Sequence, residues 1–123
     1  MHYMLLIYDD ERALGAMPEE ERASLMREYF GYTEELVQSG AFVAGAPLQP
    51  TSAATTVRTR NDETLTTDGP FAETKEQLGG YYLIDVESLD EALEWAARIP
   101  SARIGSIEVR PVQPVGRPAE AAS

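Results

Sequence analysis

Tyr81-Tyr82-Leu83-Ile84-Asp85-Val86-Glu87-Ser88-Leu89-Asp90-Glu91-Ala92-Leu93-Glu94-Trp95-Ala96 decides the fold. Tyr81 to Val86 reads as a strand. Side chains alternate along an extended chain, so Tyr82, Ile84 and Val86 share one face and Tyr81, Leu83 and Asp85 the other. The period then changes. Ser88 and Glu91 are spaced as a capping box: the hydroxyl accepts the Glu91 N–H and the carboxylate reaches back. A helix is expected from there to about Ile99, with Leu89, Ala92, Leu93 and Ala96 inward and Pro100 ending it. Ser106 to Val112 then reads as a strand, with Ile107 and Val109 on one face and Glu108 and Arg110 on the other.

The N-terminal half repeats this order. Tyr3 to Tyr8 is wholly apolar or aromatic, as suits a central strand covered on both sides. Asp9-Asp10-Glu11-Arg12 ends it, and residues 11–17 read as a connection containing Gly15. Pro18 suits a first helical turn, and Glu19, Glu20 and Glu21 carry the sign favoured there. Leu25/Met26, Tyr29/Phe30, Tyr32 and Leu36/Val37 form one apolar stripe, so a helix is expected over about 18–39, with Gly40 as its stop. Ala41 to Pro47 reads as a strand and Leu48 to Ala53 as a loop. Thr55–Thr59 and Thr64–Thr67 are threonine-rich strands joined by Arg60-Asn61-Asp62-Glu63, with Asn-Asp suited to positive φ in a hairpin turn. Asp68 to Gly80, rich in turn residues and charges, reads as a strap across the molecule.

The order is β–α–β–hairpin–β–α–β. The expected fold class is α+β: a ferredoxin-like split βαβ sheet with an inserted β-hairpin and both helices on one face. The other face, with Tyr81 and Leu83 and alternate residues of the first strand, would be an apolar patch larger than monomers usually expose. A homodimer packing two sheets face to face would cover it and leave a small-molecule cavity between them.

Composition narrows the chemistry. The chain has 123 residues, 43% of them hydrophobic and 25% charged, and a formal net charge of −11. That acidity argues against an electrostatic grip on nucleic acid or an anionic membrane. The absence of cysteine excludes disulfides, thiolate nucleophiles, Cys-ligated zinc and iron–sulfur clusters, and a single histidine excludes a multi-histidine metal site within one chain. No cofactor is expected. No apolar run approaches the roughly 20 residues of a membrane span, and the N-terminus lacks the features of a signal peptide. A cytoplasmic protein is the expectation. The expected domain covers residues 1–112, with a flexible tail over 113–123.

Asp68-Gly69-Pro70-Phe71-Ala72-Glu73-Thr74-Lys75-Glu76-Gln77-Leu78-Gly79-Gly80 resembles the signature of the DGPF branch of the YCII-related (YciI-like) family. Met4-Leu5-Leu6-Ile7-Tyr8, the strand–helix stretch quoted above and Glu108-Val109-Arg110-Pro111 extend the resemblance almost to Val112. It implies a dimeric α+β barrel whose biochemical function is unassigned, and association with a sigma-factor system. Fold resemblance to antibiotic-biosynthesis monooxygenases and muconolactone isomerases implies, as an alternative, a cofactor-free enzyme of isomerase, lyase or monooxygenase type. The YciI branch itself resembles an enzyme with a His–Asp pair. Here the sole histidine is His2, ahead of the first strand, which departs from that pattern.

Asp68 is the candidate catalytic acid/base, provided it is buried beside an apolar cavity; otherwise it simply starts a turn. Phe71 is expected to anchor the strap in the core. Lys75, beside Glu73 and Glu76, is either a surface ion pair or a site for an anionic group at a cavity mouth. Tyr8, Tyr81 and Tyr82 are candidate hydrogen-bond donors to an oxygenated ligand, or aromatic core. Arg58 and Arg110 could each recognise a carboxylate. Asp9-Asp10-Glu11 could chelate a hard cation such as Mg²⁺, but an acidic run of unspecific spacing is more often a solvated loop, and no metal site is expected.

Overall fold

The structure is a computed structural model and describes residues 1–115. Most of the tail expected from 113 therefore lies outside the described residues.

The elements are β1 (His2–Asp9), α1 (Glu11–Ala16), α2 (Glu19–Gln38), β2 (Phe42–Pro47), β3 (Thr55–Arg60), β4 (Glu63–Asp68), β5 (Gln77–Asp85), α3 (Leu89–Ala97) and β6 (Ser106–Pro111). The main sheet is antiparallel, in the order β2-β5-β1-β6, and β3 and β4 form a separate hairpin. This is the ferredoxin-like split βαβ arrangement with an inserted hairpin, the protomer fold of dimeric α+β barrels.

Alternation sets the core. Tyr3, Leu5 and Ile7 of β1 and Tyr82 and Ile84 of β5 point to the helix side, where they meet Tyr32 and Leu36 of α2 and Ala92 and Ala96 of α3. Leu5, Leu36 and Ile84 are wholly enclosed. Tyr32 packs edge-on against Tyr82 and Trp95, with ring centroids 5.3 and 5.9 Å apart, a favourable aromatic geometry. The Tyr32 hydroxyl donates to the Trp95 carbonyl at 2.9 Å, which ties α2 to α3.

The capping box forms with a shifted return arm. Glu91 N–H donates to Ser88 Oγ at 3.2 Å, while the Glu91 carboxylate accepts from the Glu87 N–H at 3.3 Å. The hairpin turn holds Asn61 and Asp62 at φ 51° and 63°, the positive values its sequence suggested.

Four expectations are corrected. Residues 11–16 are a helical turn, not a plain connection, because the Asp10 carboxylate caps the N–H groups of Arg12 and Ala13. Gln77 to Gly80 belong to β5 and pair with β1, so the strap is shorter, from Gly69 to Glu76. Leu89 and Leu93 are exposed: the small Ala92 and Ala96 seat α3 close to the sheet and turn both leucines aside. Met26, Phe30 and Val37 are exposed as well: α2 packs on the core through Tyr29, Tyr32 and Leu36, and Met26 and Phe30 lie along a cavity beside its N-terminal half.

Candidate functional site

The two-residue period of β1 continues past its apolar part. Asp9 follows Ile7 on the helix-facing side, and its residue surface is only 7% exposed. Its carboxylate makes no hydrogen bond among the described residues, whereas every fully enclosed side-chain polar atom there has a partner. The Asp9 oxygens are therefore not sealed in; they look onto a pocket that Asp9 helps to line. Without a protein donor, such a carboxylate is costly unless water or a bound group supplies one.

Backbone without side chains makes room for it. The β1–β5 register shifts between Ile7 and Tyr8, passing over Gly79. A Cβ on Gly79 would lie 3.1 Å from Asp9 Oδ1, and one on Gly105 would lie 2.2 Å from the Tyr8 carbonyl oxygen and 3.1 Å from Asp9 Cβ. Burial raises the Asp9 pKa most; the negative charges of Glu76, Glu11 and Asp10 raise it further.

The pocket is a cavity of about 470 Å³ between α1, the N-terminal half of α2 and the β2–β5 edge of the sheet. Leu14, Leu25, Met26, Phe30 and Phe42 supply apolar walls. Four of its hydroxyl groups form two pairs: Tyr29 donates to Ser101 Oγ at 2.6 Å, and Thr33 Oγ1 and the Tyr82 hydroxyl share a 2.6 Å bond. Burial raises the pKa of both tyrosines, so each is a neutral hydroxyl at ordinary pH. Arg22 sits at the exposed rim, with Nη2 donating to the carbonyls of Gly15 and Met17 at 3.3 and 3.1 Å.

The α1 turn closes one side and is latched. Glu11 accepts from both the backbone N–H and the hydroxyl of Thr51 at 2.7 Å, and its own N–H donates to Gln77 Oε1 at 3.0 Å. Behind this latch lies a second, polar hollow lined by Asp10, Glu11, Arg12, Glu73 and Lys75 among others.

The residues singled out from sequence fall into separate places. Tyr81 and Tyr82 border the pocket. Tyr8 and Arg110 lie on the opposite sheet face, joined through Glu108: the Tyr8 hydroxyl donates to Oε1 at 3.3 Å and Arg110 Nε donates to Oε2 at 3.0 Å. Lys75 lines the polar hollow. Arg58 is exposed on the hairpin. Asp68, at the hairpin's end, is exposed and borders neither cavity, so the burial that an acid/base role there requires is missing. Phe71 is 79% exposed and anchors nothing in the core, because the strap runs over the surface. This pocket lies under the helices of one chain, a different place from the space between two sheets where a dimer's cavity is expected. Asp9 was passed over as part of an acidic loop; the alternation Tyr3, Leu5, Ile7, Asp9 was the signal that places it inward. Among the described residues no group of three or more His, Asp or Glu side chains is arranged to hold a metal ion, and no helix is long and apolar enough to cross a membrane.

Comparison with known proteins agrees with this architecture. The YCII-related domain matches residues 1–115. An uncharacterized protein of Rhizobium meliloti (strain 1021) is 46% identical over 114 residues, covering 91% of this chain and 92% of that protein. Among solved structures, 5-chloro-2-hydroxyhydroquinone dehydrochlorinase (TftG) from Burkholderia phenoliruptrix AC1100, in complex with 2,5-dihydroxybenzoquinone, is similar in fold. It superposes with a TM-score of 0.54 at 16% identity, over 92% of this chain and 94% of that one.

Proposed function

The chain belongs to the YCII-related family, and from that premise we propose that it binds a small, largely apolar molecule in the pocket beneath α1 and α2, with Asp9 as the group that orients it. The observation that carries this reading is Asp9, a residue 7% exposed whose carboxylate has no hydrogen-bond partner among the described residues and looks onto a cavity of about 470 Å³. Backbone amide NMR tests it, with titration of aromatic fragments that are cationic, neutral and anionic. Shifts clustering at Ile7, Asp9, Gly79 and Ser101 support the site; shifts confined to other surfaces, or none, refute it.

The same carboxylate favours a second reading, a cofactor-free enzyme in which Asp9, rather than Asp68, takes a proton from the bound molecule and returns it. Its raised pKa suits that exchange better than an ordinary aspartate's would. A dehydrochlorinase with this fold is compatible with such chemistry but contributes only the fold. Exchange of acidic C–H for C–D on a bound fragment, followed by mass spectrometry, tests the role. It should vanish in Asp9→Asn and persist in Asp68→Asn; exchange surviving in Asp9→Asn refutes the role.

The proposed assembly is a homodimer through the open sheet face. Met4, Leu6, Tyr81 and Leu83 are half-buried there in the single chain, and a two-fold stacking of sheets would cover them. Light scattering on the eluted peak gives the mass; a single-chain mass for wild type counts against the dimer. Association with a sigma factor rests on the family resemblance alone, and the surface described here adds nothing to it.

A further inference from the structure

We infer that the Asp9 pocket takes an organic cation, a primary or secondary amine carried on a compact apolar body. This rests on the proposed ligand site and adds the chemistry of its occupant.

The pocket sets one charged acceptor, Asp9, against neutral hydroxyls. Asp9 is buried and makes no hydrogen bond among the described residues. Its neutral side-chain donors are two hydroxyl pairs, Tyr29 with Ser101 and Tyr82 with Thr33, and each pair commits one of its two O–H groups to its own bond. An ammonium group brings two or three N–H donors and the charge that the carboxylate lacks, and charge-assisted hydrogen bonds are the stronger kind.

The charges nearby have the same preference. Asp10 and Glu11 from α1 and Glu76 from the strap act on Asp9, all negative. The cation in the lining, Arg22 of α2, is exposed at the rim, where its Nη2 is held by the Gly15 and Met17 carbonyls. Tyr29 and Phe30 from α2, Phe42 from β2 and Tyr82 from β5 add aromatic rings to the lining, which suit an apolar body and can attract a cation. The net charge of −11 concentrates cations around the protein as a whole.

The test compares three probes of matched shape: 2-phenylethylamine, 2-phenylethanol and 3-phenylpropionate, titrated at neutral pH and followed by amide NMR. The amine is expected to bind about ten-fold or more tightly than the alcohol, equivalent to at least ~1.4 kcal/mol, and the acid least. Asp9→Asn should bring the amine down to the level of the alcohol. Wild type provides a check that does not depend on the variant folding. Amine affinity should fall as pH is lowered and Asp9 gains its proton, while alcohol affinity stays level. The other groups facing Asp9 are the carboxylates of Asp10, Glu11 and Glu76 and, at the rim, Arg22, while Tyr29 and Tyr82, their pKa values raised by burial, stay neutral. Alcohol or acid binding as tightly as the amine, or an amine preference retained in Asp9→Asn, overturns the inference and leaves the ligand site standing. Failure of all three probes to shift the pocket resonances overturns the site and the inference together.

Discussion

Replacing Asp9 by Asn should stabilise the protein at neutral pH, even though it removes the polar centre of the pocket. The two side chains have nearly the same shape, so the substitution leaves packing against Gly79 and Gly105 intact while it removes the charge and turns one oxygen into an NH2 donor. A buried polar group without a partner costs about 1–3 kcal/mol, and a charged one lies at the upper end or beyond. The Asn amide has no partner there either, so the expected gain is only the difference between the charged and the neutral group, ~1 kcal/mol, which for a chain of 123 residues raises Tm by roughly 3–5 °C. The sign with pH follows from linkage. The folded-state pKa of Asp9 is raised above its unfolded value, so the folded protein holds that proton more tightly. The wild type thus loses stability as pH rises from the ordinary aspartate range to the raised pKa of Asp9, and the full penalty applies above it. Urea denaturation of both proteins across this range should give stabilities that converge in acid and separate toward neutrality, the variant being higher. Taking the difference cancels the carboxylates common to both. A variant less stable than wild type at neutral pH would refute the reasoning, because the Asp9 carboxylate would then be accepting bonds that hold the fold together.

Three further outcomes follow from the same geometry. Gly79→Ala places a methyl 3.1 Å from Asp9 Oδ1 and should re-aim the carboxylate, weakening ligand binding in NMR titration while circular dichroism stays native; unchanged binding would separate Asp9 from the site. Gly105→Ala puts its Cβ 2.2 Å from the Tyr8 carbonyl oxygen, a backbone clash, and should cost about 3 kcal/mol or more in urea denaturation. Leu36→Ala, at a fully enclosed position, should cost ~2–5 kcal/mol, whereas Phe30→Ala, 69% exposed at the pocket wall, should change stability by under about 1 kcal/mol and reduce affinity; the reverse order would mean that α2 packs through its other edge.

The fold could be read from local chemistry because each element carries its own signal. Alternation marks Tyr81–Val86, the Ser88–Glu91 spacing starts α3, and Asn61-Asp62 is suited to the positive φ that its hairpin needs. What sequence could not supply is distance between elements. The Leu25–Val37 stripe looks uniform along α2, but its N-terminal half stands off the sheet across a cavity. Only Tyr32 and Leu36 are buried, and the same apolar chemistry at Met26 and Phe30 becomes a pocket wall. Phe71 misled for a related reason. An aromatic residue in a strap reads as an anchor, yet whether a surface segment reaches the core depends on tertiary placement that its own residues do not encode.

Asp9, Asp10 and Glu11 show how a single compositional signal divides on folding. Read together they are an acidic run, and a solvated loop or a hard-cation site is the natural inference. The strand period runs one residue beyond the apolar stretch and sends Asp9 inward beside Ile7. The next residue begins a helical turn, so Asp10 points back to cap Arg12 and Ala13. Glu11, inside that turn, faces across to Thr51 and latches α1 over the pocket. The cap and the latch both satisfy their acceptors, and both hold negative charge near a carboxylate that has no donor. The fold thus spends two of three acids on building the wall and leaves the third one needing a positive charge, which is why the pocket's polarity follows from where β1 stops rather than from any motif.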